Sequence, residues 1–507
     1  MVDSLYNFLK KNKRIIIFLL VLFTPVLAGM LYAYMQGVWI GDYYMPASFW
    51  NDELLYYKQI EGVLEYGFPQ GFFGYDESNA QSLTFSAWSP VIMSLYVVFG
   101  KVFGWSYNTP LVCNILFISI GMAFFAYKAK LGYKQMGLLI GFSMLFIPLT
   151  RYMLSGMTDC EMVAVIMIYM GFYAATVSEK ESGNFTTGNI VGMVICSIFL
   201  TLMRPYFLLL FIAPVCYEFK KSKIGAWVIG IIAGITMGAY AYIAGKFTAT
   251  YFFPLIDTEW IEAIKYSPLG GIKNAVLLFF DGLQDIYEMC VNGIKYGQVA
   301  GGLWSLFIVL LIVIFVIAIR NKSLRICAFI MIALMGAVVM FYDINVGSRH
   351  LLPFIVIAVM ILIFNDYKIV SLGVLAVVIM LFTTRMEAEP YTYLLPVYDE
   401  HRAETIEELQ EKLENKIVVE KTEDYWDNTV IWLLYDETTL TWQNLYALPK
   451  GVGISVCTPD YVINFQDDLK ARYIAVNVGQ RIERLISEAG AQKLAEQDGV
   501  AFYKLRK

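Results

Sequence analysis

Two pairs of close carboxylates stand out in an otherwise apolar chain. Asp52-Glu53 lies in the segment Phe49-Trp50-Asn51-Asp52-Glu53-Leu54-Leu55-Tyr56-Tyr57-Lys58. Asp159 and Glu161 lie in Gly156-Met157-Thr158-Asp159-Cys160-Glu161, with Arg151 shortly before. Carboxylates are strongly hydrated, and a protein places them beside lipid mainly where something uses them. In a low-dielectric cleft a carboxylate can act as a general base or coordinate a divalent cation. Helix capping competes with that reading. Asp52 can cap a helix beginning at Glu53, and Thr158 or Asp159 one beginning near residue 162.

Arg204 precedes Pro205 between two apolar runs, and Arg349-His350 precedes Leu351-Leu352-Pro353 at the end of another. A fixed guanidinium at a membrane boundary suits a phosphate head group whose tail lies in lipid. Snorkelling or interfacial anchoring explains the same placement. The sequence has no GxxxxGK[ST], no Gly-x-Ser-x-Gly and no His-Glu-x-x-His. With only His350 and His401, a His-rich metal site is excluded. The seven cysteines form no CxxC pair, and most fall in apolar runs, so they read as small buried hydrophobes without a disulfide framework.

The elements that must position these residues are membrane spans. Of 507 residues, 58% are hydrophobic and 16% charged, against about 45–50% and 25% in soluble domains. The net charge of −5 argues against nucleic acid as a partner. Apolar runs lie from about 15 to 35, then at about 88–104, 108–127, 134–150, 162–178, 188–203, 204–218, 225–245, 301–320, 324–342, 350–364 and 368–383. Polar stretches at 36–87 and 246–300 separate some of them. The second holds Tyr251-Phe252-Phe253-Pro254 and the amphipathic run from Gly271 to Tyr287, which suit helices on a bilayer surface.

Positive charge sets the expected orientation. Lys10-Lys11-Asn12-Lys13-Arg14 places the N-terminus in the cytoplasm, and so do the basic loops at 128–134, 220–223 and 320–325 for their own positions. These loops agree only if 88–104, which begins at Trp88-Ser89-Pro90 and contains Lys101, is re-entrant or interfacial. Eleven crossings then put 36–87, 246–300 and the C-terminal part outside. The other solution has 88–104 crossing and a neighbouring segment failing to cross.

Residues 385–507 are charged, contain no span and read as α/β. The spacing predicts a helix over 402–414, strands at 417–419, 429–434 and 473–478, an amphipathic helix over 480–492 and a final strand at 500–503. The last part thus reads as a β-α-β unit.

Asp52-Glu53 with Tyr56, Trp88-Ser89-Pro90, Pro148, Asp159 and Arg349-His350-Leu351-Leu352-Pro353 occur in an order that resembles the GT-C glycosyltransferases. These are polytopic enzymes that include the protein O-mannosyltransferases and the lipid A aminoarabinose transferase. The resemblance covers about residues 1–385, with Ser89-Pro90 standing where many members have His-Pro or Lys-Pro. It implies an α-helical polytopic membrane protein of about 11–12 helices, with residues 1–384 as the GT-C-like domain and 385–507 as a small external α/β domain.

The function implied is transfer of a sugar from a polyprenyl-phosphate-linked donor to an external glycan, lipid or protein acceptor, at a plasma membrane, expected to be bacterial. Asp52, Glu53 and Asp159 would be the catalytic group, with Asp52 taking the acceptor proton. Arg349, His350 and Arg204, with Tyr56, Lys58, Arg151 and Glu161, would bind the lipid phosphate or the acceptor. A divalent cation, Mg or Mn, is an optional cofactor, and membrane lipid is a partner. The competing readings are a transporter or flippase of a lipid-linked glycan and a polysaccharide polymerase or ligase. A non-catalytic scaffold that displays the C-terminal domain is a further one.

Overall fold

In the computed structural model, the residues described are 12–35, 37, 39–40, 51–67, 72–77, 81–82, 85, 89–182, 186–248, 259–296, 299–321, 324–342, 348–365, 400–417, 419, 425–433, 447–497 and 499–505. The apolar run expected at 368–383 lies outside them.

The chain opens with helix α1 (Lys13–Met35) and the shorter α2 (Asn51–Tyr66). Strands β1 (Phe72–Tyr75) and β2 (Gln81–Ser82) follow. A 3-10 turn, Pro90–Met93, leads into α3 (Ser94–Phe103). Next come α4 (Thr109–Lys128), α5 (Tyr133–Leu145), α6 (Ile147–Met153), α7 (Asp159–Ser182) and α8 (Thr187–Met203). A second 3-10 turn, Pro205–Phe211, joins α8 to α9 (Ile212–Phe219), and α10 is Lys223–Phe247. The set continues with α11 (Glu259–Tyr266), α12 (Pro268–Tyr296), α13 (Val299–Arg320), α14 (Arg325–Phe341) and α15 (Ser348–Phe364).

Among the described residues, five helices are long and apolar enough to cross a bilayer: α1, α4, most of α7, α10 and most of α13. The α5–α6 pair adds a sixth if it is one broken span, bent by 67°. Pro148 at the start of α6 accounts for that break, because its ring cannot continue a helix above it. Helices α8, α14 and α15, at 17 residues each, sit at the short limit for a span. Among the described residues, the apolar helices are thus a mixture of full-length, broken and short ones.

Helix α7 is the centre of the bundle. It packs against α4, α8 and α15, and 89% of its apolar span is buried. Helix α10, at the periphery, exposes Ile224, Trp227, Val228, Ile231 and Ile235, a surface compatible with lipid. Helices α11 and α12 account for much of 246–300. The exposed Ile272, Val276 and Phe280 recur every fourth residue on α12, the amphipathic spacing expected there.

The C-terminal part holds α16 (Glu400–Leu413), β3 (Thr429–Leu433), β4 (Gly453–Cys457), α17 (Pro459–Asn464), β5 (Tyr473–Asn477), α18 (Arg481–Glu488), β6 (Gln492–Gln497) and β7 (Val500–Lys504). Three expectations change. Strand β4 was not foreseen. No strand forms at Ile417 or Val419. The helix expected over 480–492 stops at Glu488, and its last residues instead open β6, so the unit is β-α-β-β.

The sheet also reaches outside the C-terminal part. Its order is β2-β1-β4-β3-β5-β7-β6, and β1 runs parallel to β4 with Phe73 opposite Ile454. Residues from 36–87 thus complete the sheet of 385–507. Side chains alternate across it. Val430, Trp432, Ile454, Val456, Ala475 and Phe502 join an apolar core continuous with that of the helical bundle, through α16. Ile431, Leu433, Ile474, Val476 and Ala501 face the second core, under α17 and α18. Strands β3, β4 and β5 are buried at every position, as parallel strands covered on both faces are.

Candidate active site

The residues with chemical potential gather where α7 and α15 begin and α8 ends. Pro205 pushes the preceding residue out of the helical region, so α8 stops and Arg204 takes an extended backbone (φ −144°, ψ 125°). Its side chain is fully buried and turns back to the first turn of α7, where Nη2 donates to Asp159 Oδ1 at 2.7 Å. Neither side chain of this pair is exposed. The helix N-terminus adds partial positive charge beside Asp159, which stabilises the carboxylate further.

The network continues away from Asp159. Arg204 Nη1 donates to Tyr206 Oη at 3.2 Å, and that oxygen lies 3.3 Å from His350 Nδ1. Because Tyr206 Oη accepts from the guanidinium, its own proton is available to His350 Nδ1. Tyr206 and Tyr342 both pack on the His350 ring, with centroids 5.6 and 4.8 Å away. Tyr240 of α10 and Tyr342 lie within electrostatic reach of Arg204. One buried cation is therefore bonded to a carboxylate and a tyrosine hydroxyl, with His350 one hydrogen bond further on.

The turn between α6 and α7 is fixed from two sides. From α4, Asn114 Nδ2 donates to the carbonyls of Tyr152, Ser155 and Met157 at 3.0, 2.7 and 3.1 Å, while its Oδ1 accepts from the Tyr96 hydroxyl. From α2, Glu53 Oε2 accepts from the Gly156 N–H at 3.0 Å. Glu53 is buried, within electrostatic reach of the buried Arg151. Glu53 of the first carboxylate pair thus bears directly on the turn that presents the second. In the same turn the buried Thr158 Oγ1 has no hydrogen-bond partner among the described residues.

The remaining expected site residues are placed as follows. Asp52 is in the first turn of α2, one residue before Glu53, and its side chain lies outside the described residues. The same holds for the side chain of Arg349, which precedes His350 in the first turn of α15. Glu161 caps α3, with Oε1 accepting from Ser94 Oγ (3.1 Å) and Oε2 from Leu95 N–H (3.3 Å). Tyr56 is buried in the core. Lys58 is turned toward the C-terminal part, donating to Leu448 O at 2.6 Å and to Glu61 Oε2 at 2.9 Å. Ser89 caps the 3-10 turn before α3, its hydroxyl accepting from Val91 N–H.

Tyr206, Tyr240, Tyr342 and Asn114 were not singled out in the sequence. Tyr206 carried a signal, since it follows Arg204-Pro205 directly. The others look like ordinary members of apolar runs. The seven cysteines are all free, as the sequence indicated. Among the described residues, no three of His, Cys, Asp and Glu come together in a group able to hold a metal ion. Glu53, Asp159 and Glu161 are each engaged by protein donors.

No family model matches the sequence, and no curated protein matches it. Solved structures do match in fold. ArnT from Cupriavidus metallidurans, in a crystal structure bound to undecaprenyl phosphate, superposes with a TM-score of 0.51 at 10% identity, over 97% of this chain and 98% of that one. The same protein in the apo state gives 0.49 at 9% identity, over 89% and 92%. The Archaeoglobus fulgidus oligosaccharyltransferase, in a crystal structure with Zn and sulfate, gives 0.47 at 10% identity, over 92% and 69%. The chain thus shares the fold of that ArnT structure, with a mainly helical, apolar domain and a small α/β domain.

Proposed function

We propose that this protein is a membrane glycosyltransferase that moves a sugar from a polyprenyl-phosphate-linked donor to a hydroxyl acceptor. The observation that carries this reading is the buried Asp159–Arg204–Tyr206–His350 network, set beside a turn held by Glu53, in a chain with the fold of ArnT. A lipid phosphate is bound in the ArnT structure, which supports a donor of that chemistry here. The charge distribution of the loops supports an active face outside the cytoplasm, and the resemblance to the GT-C enzymes supports a bacterial plasma membrane.

In the proposed reaction the acceptor oxygen attacks the anomeric carbon. The bond from that carbon to the phosphate oxygen breaks, and the polyprenyl phosphate leaves with the electron pair. The acceptor proton passes to Asp52, the carboxylate next to Glu53. Glu53 holds the Gly156 turn, and Asp159 orients Arg204. Arg204, Arg349 and His350 stabilise the negative charge that grows on the leaving phosphate. Since Arg204 is already paired, it contributes a fixed, pre-oriented donor set and not a free cation.

The test is transfer of radiolabelled sugar from polyprenyl-phosphate donors by purified protein, compared with Asp52→Asn. Transfer by the wild type and its loss in a folded variant is the expected result. Donor translocation across a vesicle membrane without transfer would replace this reading by a flippase.

A further inference from the structure

We propose that the C-terminal domain fixes the helix that carries Asp52-Glu53, with Lys58, Asp76 and Glu77 as positioning residues for the transfer reaction; this rests on the function proposed above. Lys58 lies on α2 five residues after Glu53. Its ammonium is buried and bonded to the Leu448 carbonyl and to Glu61. The neighbouring Tyr57 stacks on Trp105 and Tyr107, with centroids 5.4 and 5.6 Å away. Tyr107 in turn donates to Gln410 Oε1 of α16 at 3.1 Å. Tyr66, the last residue of α2, reaches the Lys450 carbonyl at 3.5 Å.

The chain after α2 is fastened to the same domain. Strand β1 pairs with β4, and Asp76 N–H continues that pairing by donating to Val456 O at 2.9 Å. Asp76 holds a left-handed backbone (φ +45°), uncommon for a residue with a side chain. Its carboxylate accepts from Thr458 N–H at 2.7 Å and from the Thr458 hydroxyl at 3.1 Å. The buried Glu77 accepts from two consecutive amides, Lys470 N–H and Ala471 N–H, both at 2.8 Å.

Besides packing on α3 and on Trp105 and Tyr107, helix α2 has two kinds of polar contact. At its start, Glu53 meets the turn before Asp159. Along its middle, at its end and just beyond, the hydrogen bonds of Lys58, Tyr66, Asp76 and Glu77 to other elements go, among the described residues, to residues 447–471. Apart from Glu61 on α2 itself, the polar groups that face Lys58 and Glu77 come from that domain, so displacing it moves α2 relative to the fixed Gly156 turn. These residues touch neither the Arg204 network nor a reacting atom in the proposed reaction.

The test combines amide hydrogen exchange with transfer kinetics, on the full-length protein in detergent, for Lys58→Met, Asp76→Ala and Asp76→Asn. The first two should raise exchange across residues 51–66 by about tenfold or more and leave 159–182 unchanged. They should lower kcat by about tenfold while KM for the polyprenyl-phosphate donor stays within about twofold. Asp76→Asn keeps an acceptor for the Thr458 N–H and should restore both quantities. Unchanged exchange in 51–66 would overturn the proposal, and so would raised exchange with kcat retained. Raised exchange in both segments would also overturn it, since the residues would then support the fold at large. A wild type that transfers no sugar from any donor would end the glycosyltransferase reading and the kinetic half of this inference. The exchange difference would still decide whether the domain holds α2.

Discussion

Arg204 and Asp159 meet at 2.7 Å with both side chains wholly buried, and they come from helix ends 45 residues apart. A pair in this setting has left water entirely, so either charge alone is costly. Asp159→Asn and Arg204→Met are each expected to destabilise the protein by about 3–5 kcal/mol, because each strands the other charge. The double substitution should recover more than half of the loss. Thermal unfolding in detergent of the four proteins reads this, and a double variant as unstable as the sum of the singles would refute it.

Asn114 supports three carbonyls of one turn. Replacing it with Ala removes this donor from the Ser155 and Met157 carbonyls in a buried setting, while Tyr152 O keeps the Ser155 hydroxyl, at about 1–3 kcal/mol for each group that finds no new partner. The expected result is a destabilised protein whose transfer activity falls further than its stability, since the turn leads into Asp159. Activity per folded molecule, measured below the unfolding transition, checks this.

Glu53→Gln keeps an oxygen able to accept the Gly156 N–H, whereas Glu53→Ala does not. A hydrogen bond to a charged group contributes about 1.5–3 kcal/mol. If that energy is used to hold the site, Ala should lose about 10–100-fold in kcat and Gln clearly less. Equal loss in both would show that the charge of Glu53, and not its grip on the turn, is what matters.

In the C-terminal domain, burial pushes the Glu483 carboxyl up, but the Gly479 N–H, the Tyr503 hydroxyl and Lys493 outweigh it and hold the pKa below its ordinary value. A depressed folded pKa gives stability that is present above the unfolded value, about 4.3, and is lost as pH falls through the folded value. Glu483→Gln should therefore lower the Tm of this domain near neutral pH. The difference from wild type should shrink toward zero as pH falls below about 4. A difference that persists in acid would assign the effect to packing.

The helices of the bundle could be read from the sequence because bilayer thickness sets the length of an apolar run. So could the turn at Arg204-Pro205 and the acidic start of α7, since proline and helix polarity act locally. Partner choice could not. Nothing in the spacing of Asp159 and Arg204 says that they pair, and Asn114 is one polar residue in an apolar helix. Strand β4, Gly453–Cys457, is a short apolar run with no flanking alternation. The early end of α18 did carry a signal. Gly490, with φ +84°, ends the helix in the left-handed conformation that glycine adopts most readily. Strand β1 shows no alternation, and its partner lies far along the chain.

That last pairing bears on how the molecule is made. Asp76 and Thr458 are 382 residues apart, and the crossover between parallel strands β1 and β4 is nearly the whole membrane domain. Pairing at such separation is slow, and it cannot begin until the ribosome has finished most of the chain. Helix α2 is synthesised early and receives its final neighbours late. A chain that stops before residue 453 would insert its helices but leave β1 without its partner. Residues 453–458 therefore serve as a check that the intervening helices have been made before residues 72–76 find their final place.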